Sequence, residues 1–369
     1  MARLDRQNMY NTGFNLLFKL RRWIVLGLVF FPVFGWAASS CTGAANTWTL
    51  TLPSQVAAAR DLPNGSLLTN WVSSSATTNY WSCTLNVAND GVIFQFGTSG
   101  IVSGAATSYT TTYNGVAISV FPTNVAGVGL ALAAHHYGSF SAGCLAGWDS
   151  WATLGSTYTG CQQLVGGKQT GNAGGQMAVA LVKIGDITPG TLSGTVATYY
   201  NYPVNGGTSG GTQTFAISPV NVTTLTCTTP DVSVPMGTFK TTDFPNVGSL
   251  SPNPAGFNIQ LLNCPGGTAV SGTQAGQIHG IQYRIDPTSG TVATNVAALG
   301  GNPSASGVGI ELFNNSGAVF PLSTSTTLSG YNSATGGNYT IPLTARYYRT
   351  GTVTAGPANA TMTLTISYQ

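Results

Sequence analysis

The chain has 369 residues, only 6% of them Asp, Glu, Lys or Arg, with 48 glycines and a formal net charge of +3. So few charges among so much Gly, Thr, Ser and Asn suit short strands and tight turns and exclude a helix-dominated fold. The net positive charge comes from Arg3, Arg6, Lys19, Arg21 and Arg22; beyond them seven basic residues stand against eight acidic ones, which leaves no electrostatic footprint for a polyanion such as nucleic acid.

In chain order, the first feature is the apolar run "WIVLGLVFFPVFGW" from Trp23 to Trp36, preceded by the basic residues and closed by Gly35-Trp36-Ala37. This is the layout of a signal peptide, residues 1–37, with translation starting at Met1 or Met9. The run contains Pro32 and falls short of the roughly 20 residues a membrane helix needs. Cys41, Cys83, Cys144, Cys161, Cys227 and Cys264 all follow it, and an even count in an exported chain argues for disulfides. Sequential pairing is the simplest of the connectivities open to them. A zinc site is the competing reading, but there is no CxxC pair and His135, His136 and His279 stand apart from clustered thiols.

From Cys41 to Asn221 the runs "TWTLTL", "GVIFQFG", "GVAISVF", "GVGLALAA", "QMAVALVKI" and "TLSGTVATYYNY" alternate with turn residues, as in a β-sandwich or barrel. The Gly-rich "VNGGTSGGTQT" reads as the loop between the last two strands of this set. A second set follows: "DVSVPMG", "FNIQLLNC", "IHGIQYRID", "GVGIELFN" with "AVFPL", "NYTIPLTARYYR" and "ATMTLTISYQ". In the last, Met362, Leu364, Ile366 and Tyr368 share one face and Thr361, Thr363, Thr365 and Ser367 the other. Six principal strands are one fewer than an immunoglobulin-like sandwich uses, and the expected gap is the final strand.

The order and spacing of the second set resemble the pilin domain of chaperone–usher fimbriae. Cys227 and Cys264 bracket its first two strands, "GVGIELFNNSGAVFPL" resembles the central strand with its turn, and "TARYYRTGTVTAGPANATMTLTISYQ" resembles the C-terminal signature. In the first set "RDLPNGSLLTNW", "FPTNVAGVGL" and "LVKIGDITPGTLSG" are similar to receptor domains of type 1 and type 3 fimbrial adhesins. The resemblance implies two β-sandwich domains, a receptor-binding domain over 38–221 and an incomplete pilin domain over 222–369, exported through the periplasm to the tip of a fimbrium. The implied partners are a periplasmic chaperone, an outer-membrane usher, an adjacent subunit donating a strand beside Met362, Leu364, Ile366 and Tyr368, and a host glycan or matrix-protein receptor. A non-adhesive structural subunit and a carbohydrate-active enzyme are the alternatives; neither a cofactor nor catalysis is expected.

The chemistry-bearing residues are few. Gly207-Thr208-Ser209-Gly210-Gly211 matches GxSxG but lacks the strand and helix that a nucleophile elbow requires. Asp61, Asp90, Asp149 and Asp186 are too scattered to make a glycosidase pair. His135-His136 reads as a strand end with one exposed imidazole. The richest segment is "CLAGWDSWATLGSTYTGC": closed by Cys144 and Cys161, it offers Trp148, Trp151 and Tyr158 as ring faces and Asp149 as an acceptor, the makings of a receptor site, with burial of both tryptophans in the core as the equal alternative. The turn after Cys83 adds Asn86, Asn89 and Asp90, for which an Asx-rich hairpin is the plainer reading.

Overall fold

The computed structural model describes residues 38–86, 91–140, 146–155, 157–164, 168–204, 206–302 and 305–369. The expected leader, residues 1–37, lies outside the described residues. The described chain is all-β: strands carry it from Ser40 to Tyr368, and its one helical turn is the 3-10 segment Thr241–Asp243.

The first set forms two sheets. One runs in the order Ser40–Thr42, Thr77–Leu85, Gln169–Lys183, Val128–Ser139, Val116–Pro122, Thr110–Tyr113; the other runs Thr157–Leu164, Gly91–Thr98, Gly190–Pro203, Gln213–Leu225, Asn46–Leu50. Trp81, Phe94, Phe96, Tyr199 and Phe215 fill the space between them, each 1% exposed or less, and Phe96 lies parallel to Tyr199 with ring centroids 3.9 Å apart. The indole of Trp81 finds its acceptor in Gly211 O at 2.8 Å. Residues 206–212 of the Gly-rich stretch are therefore a loop before Gln213–Leu225, as expected, and one pinned by a core tryptophan. Strand Gln213–Leu225 runs through the anticipated 221/222 boundary and pairs in parallel with Asn46–Leu50 and then Gln55–Ala59.

In the second set one sheet runs Ala255–Pro265, Gly336–Thr354, Ser306–Asn314, Val296–Ala297, Thr291–Ala293, and a smaller one runs Thr326–Thr327, Ile281–Pro287, Met362–Tyr368. Five of the six expected strands are present. "DVSVPMG" is the exception: its backbone joins no ladder among the described residues, Val232 is 41% exposed, and Val234 and Met236 are half-buried against the core. Its alternation is real, but no neighbour is placed to hydrogen-bond it.

Two of the three sequential disulfides are present, Cys41–Cys83 and Cys227–Cys264. Cys41 sits opposite Cys83 in the ladder that joins their strands. Cys144 lies outside the described residues, and the Cys144–Cys161 pairing with it.

One acid is buried in the second set. Glu311 on Ser306–Asn314 is 7% exposed, and Arg346, directly across the ladder, gives its Nε to Ser251 O at 2.8 Å instead. Burial pushes the Glu311 carboxyl up from its ordinary value, so ionising it costs stability above that raised value, and the cost disappears once pH falls below the unfolded-chain value of about 4.3. Glu311→Gln should raise Tm by about 2 °C at pH 7, and the advantage should vanish near pH 4; melting curves across that range check both.

Candidate functional site

The candidate site grows from a register irregularity on the outer face of the larger first-set sheet. Segments Ala146–Trp148 and Ala152–Thr153 both pair with Val128–Ser139, Trp148 opposite Tyr137 and Ala152 opposite Ala134. Three residues, 149–151, thus face two, 135–136, which is a β-bulge, a device that re-aims side chains. Asp149 holds it closed. Its Oδ1 accepts from His136 N at 2.5 Å, its Oδ2 meets His136 Nδ1 at 2.9 Å, and its own N–H donates to His136 O at 3.0 Å.

His135 and His136 lie within a twelve-residue strand, not at a strand end, and neither imidazole is exposed: His135 is 9% and His136 0% accessible. Alternation does send them to opposite faces. His136 packs inward against Phe96 and Tyr199, while the bulge lays Trp148 and Trp151 over outward-facing His135, with centroids 4.4 and 3.9 Å away and near-parallel planes. Both His135 nitrogens face acceptors, Asp149 O at 3.2 Å and Gln176 Oε1 at 3.1 Å, and Gln176 is oriented by donating Nε2 to Ser74 O at 2.7 Å.

The rings continue on either side. Tyr137 lies 5.2 Å from Trp148, Tyr113 stands edge-on to Trp151 at 4.7 Å, and Trp71 lies 4.5 Å from Tyr113, whose hydroxyl meets Ser73 Oγ at 2.8 Å. The result is an unbroken row, Tyr137–Trp148–His135–Trp151–Tyr113–Trp71, whose last three members are seated on the small apolar cluster of Ile118, Val120, Ala131, Ala133, Ala178 and Val182. Trp148 is 38% exposed and Trp151 half-buried, so neither belongs to the inter-sheet core. Of the other sequence candidates, Asn86 is half-buried and binds Ala38 O through Nδ2 at 3.0 Å. Asn89 and Asp90 lie outside the described residues, as do the side chain of Tyr158 and Cys144. Sequence reasoning missed His135 as part of the site, and missed Tyr113 on Thr110–Tyr113 and Trp71 just before Val72–Ser73, which reach it from far away along the chain. No group of three or more metal-ligating side chains occurs among the described residues.

The second feature is the edge of Met362–Tyr368. Gln369 and Gly280 exchange backbone hydrogen bonds at 2.9 and 3.1 Å, so the odd-numbered residues of this strand face Ile281–Pro287 and Met362, Leu364, Ile366 and Tyr368 turn their backbone groups outward. Among the described residues this outer edge has no strand partner. Its far end is held by the first set: Tyr368 N–H donates to Asp61 Oδ2 at 2.8 Å, Arg60 Nη2 donates to Ile366 O, and the guanidinium lies 4.9 Å from the Tyr368 ring centroid. Buried Lys183 supports this clip by donating to Arg60 O at 2.7 Å and Leu62 O at 2.5 Å, and its pKa is lowered by that burial. Among the described residues the outward backbone groups of Met362 and Leu364 have no strand partner, and their side chains are half-buried.

Residues 218–369 match the family described as Fimbrial protein. The type-1 fimbrial protein A chain of Escherichia coli K12 is 33% identical over 180 residues, which is 48% of this chain and 92% of that protein. The fimbrial subunit type 1 of Klebsiella pneumoniae is 33% identical over 162 residues, 44% of this chain and 85% of that one. Among solved structures, the CupB6 tip adhesin from Pseudomonas aeruginosa overlaps 89% of this chain and 94% of its own at 14% identity and a TM-score of 0.29. With one third of positions identical across nearly the whole length of the Escherichia coli subunit, the chain belongs to the fimbrial protein family.

Proposed function

We propose that the chain is a fimbrial adhesin of the chaperone–usher type, whose first set, within residues 38–221, binds a host-surface receptor and whose second set, within 222–369, joins it to the fibre. The observation that carries the adhesive half is the aromatic row. Its rings present apolar faces at an accessible surface, and burial of the inter-sheet core does not require them there. Stacking on a sugar ring or on a peptide's apolar residues uses such faces, and the bulge that holds Trp148 and Trp151 against His135 reduces the ordering cost of binding. A binding face has to meet a surface, which suits the free end of a fibre.

The joining half rests on the outer edge of Met362–Tyr368. A donated strand pairs with the outward backbone of Met362 and Leu364 and covers side chains that the chain itself leaves half-buried, each gaining up to roughly 1.5–3 kcal/mol when fully covered. A periplasmic chaperone supplies such a strand first and a neighbouring subunit later, with the usher mediating the exchange.

Trp148→Ala, at a site more than one-third exposed, should leave Tm within about 2 °C of the parent and weaken attachment to host cells at least tenfold. Unchanged attachment would remove the row from the receptor site. Trp151→Ala, which opens the apolar cluster beneath, should lose stability as well, by about 2 kcal/mol in denaturant titration.

A synthetic peptide with alternating apolar residues should raise the Tm of the full chain by several degrees, and Leu364→Asp should abolish the rise. A peptide that binds the Leu364→Asp protein equally well would show that this edge is not where the strand docks.

A further inference from the structure

Arg60 and Asp61 meet the end of Met362–Tyr368 as a pre-built corner. They follow strand Gln55–Ala59 directly, in a turn where Leu62 N–H donates to Ala59 O at 3.1 Å. Lys183, 3% exposed, fixes that turn through its bonds to Arg60 O and Leu62 O. Arg60 Nη2 lies 3.0 Å from Asp61 Oδ2, so each side chain orients the other. The two sets also touch away from this corner: Gly276 N–H of the second donates to Ala57 O of the first at 2.7 Å. The corner side chains are themselves partly open to solvent, 47% for Arg60 and 33% for Asp61, so removing them uncovers little core.

The atoms that the corner bonds are the ones a strand would use. Arg60 Nη2 donates to Ile366 O, and Asp61 Oδ2 accepts from Tyr368 N–H at 2.8 Å. One residue of a strand added in parallel makes the same two bonds: its N–H reaches one carbonyl, and its C=O accepts the N–H two residues further on. A donor and an acceptor carried by two charged side chains thus stand in for one residue of a neighbouring strand. The guanidinium, 4.9 Å from the Tyr368 ring centroid, covers the same end. Among the described residues no such contact reaches the outward backbone of Met362 or Leu364.

We propose that the Arg60–Asp61 corner is an intramolecular cap that competes with a partner strand for the last outward groups of Met362–Tyr368. The proposal rests on the reading of this edge as a docking site and adds a built-in competitor to it. A partner pairs unopposed beside Met362 and Leu364, and gains Ile366 O and Tyr368 N–H only by displacing the corner. The first set thereby tunes how tightly the second one holds a long strand, without touching the residues where a short one binds.

The test uses the full chain, calorimetric titration and two synthetic peptides of alternating valine and threonine, one long enough to span Met362 to Leu364 and one that spans the whole strand. With Arg60 and Asp61 both changed to Ala, the long peptide should bind about tenfold tighter than to the parent, because two backbone groups are released to it. The short peptide should bind parent and variant alike, and Leu364→Asp should abolish binding of both peptides. Equal affinity of the long peptide for parent and variant overturns the cap while leaving the docking edge intact. An equal gain for the short peptide also overturns it, since the corner would then act on the whole edge and not on its end. Failure of both peptides to bind either protein removes the docking reading and the cap together.

Discussion

A strand's backbone polar groups point sideways, and a protein built from strands must dispose of every sheet edge or leave a template for another chain. In the first set one edge is met by splitting it: Asn46–Leu50 and Gln55–Ala59 lie end to end along Gln213–Leu225, each pairing in parallel with a different part of it. In the second set the outer edge of Met362–Tyr368 is met only in part: Arg60 donates to Ile366 O, and Asp61 accepts from Tyr368 N–H. The half-burial of Met362 and Leu364 and the proposed mode of assembly both turn on that one incompletely paired edge.

Bulges do the second piece of work. In two places of the first set one strand carries more residues than its neighbour, at 149–151 beneath the aromatic row and at 78–80. In a regular ladder alternation would divide these side chains evenly between core and solvent. The extra residues break the count, so Trp148 and Trp151 both cover His135, and Tyr80 and Trp81 are both buried. The candidate site sits where the period-two rule fails.

For the same reason the sequence was legible in its scaffold and only partly in its sites. Period-two alternation located most strands, and the cysteines Cys41 with Cys83 and Cys227 with Cys264 pair as neighbours in order. Trp148, Asp149 and Trp151 stood out because so few aromatic and acidic residues cluster in a chain of small ones. His135 was misread as an exposed end because nothing local says that two indoles fold over it. Tyr113 and Trp71 reach the row through the packing of the sheet, which joins residues whose separation along the chain carries no pattern. "DVSVPMG" failed in the opposite sense: it has the alternation of a strand, but pairing needs a neighbour as well as a pattern.

The clip on Tyr368 gives the partly open edge a direction. Its free backbone groups begin at Met362 and Leu364, and the groups beyond, at Ile366 O and Tyr368 N, are already bonded to Arg60 and Asp61. A strand laid along this edge therefore starts at the Met362 end and advances like a zip toward a charged stop. The same asymmetry hinders two copies of the chain from joining edge to edge along the whole strand, because each would have to displace a guanidinium and a carboxylate to complete the ladder. Two of the few charged side chains in this protein stand where uncontrolled strand pairing would otherwise run to the end.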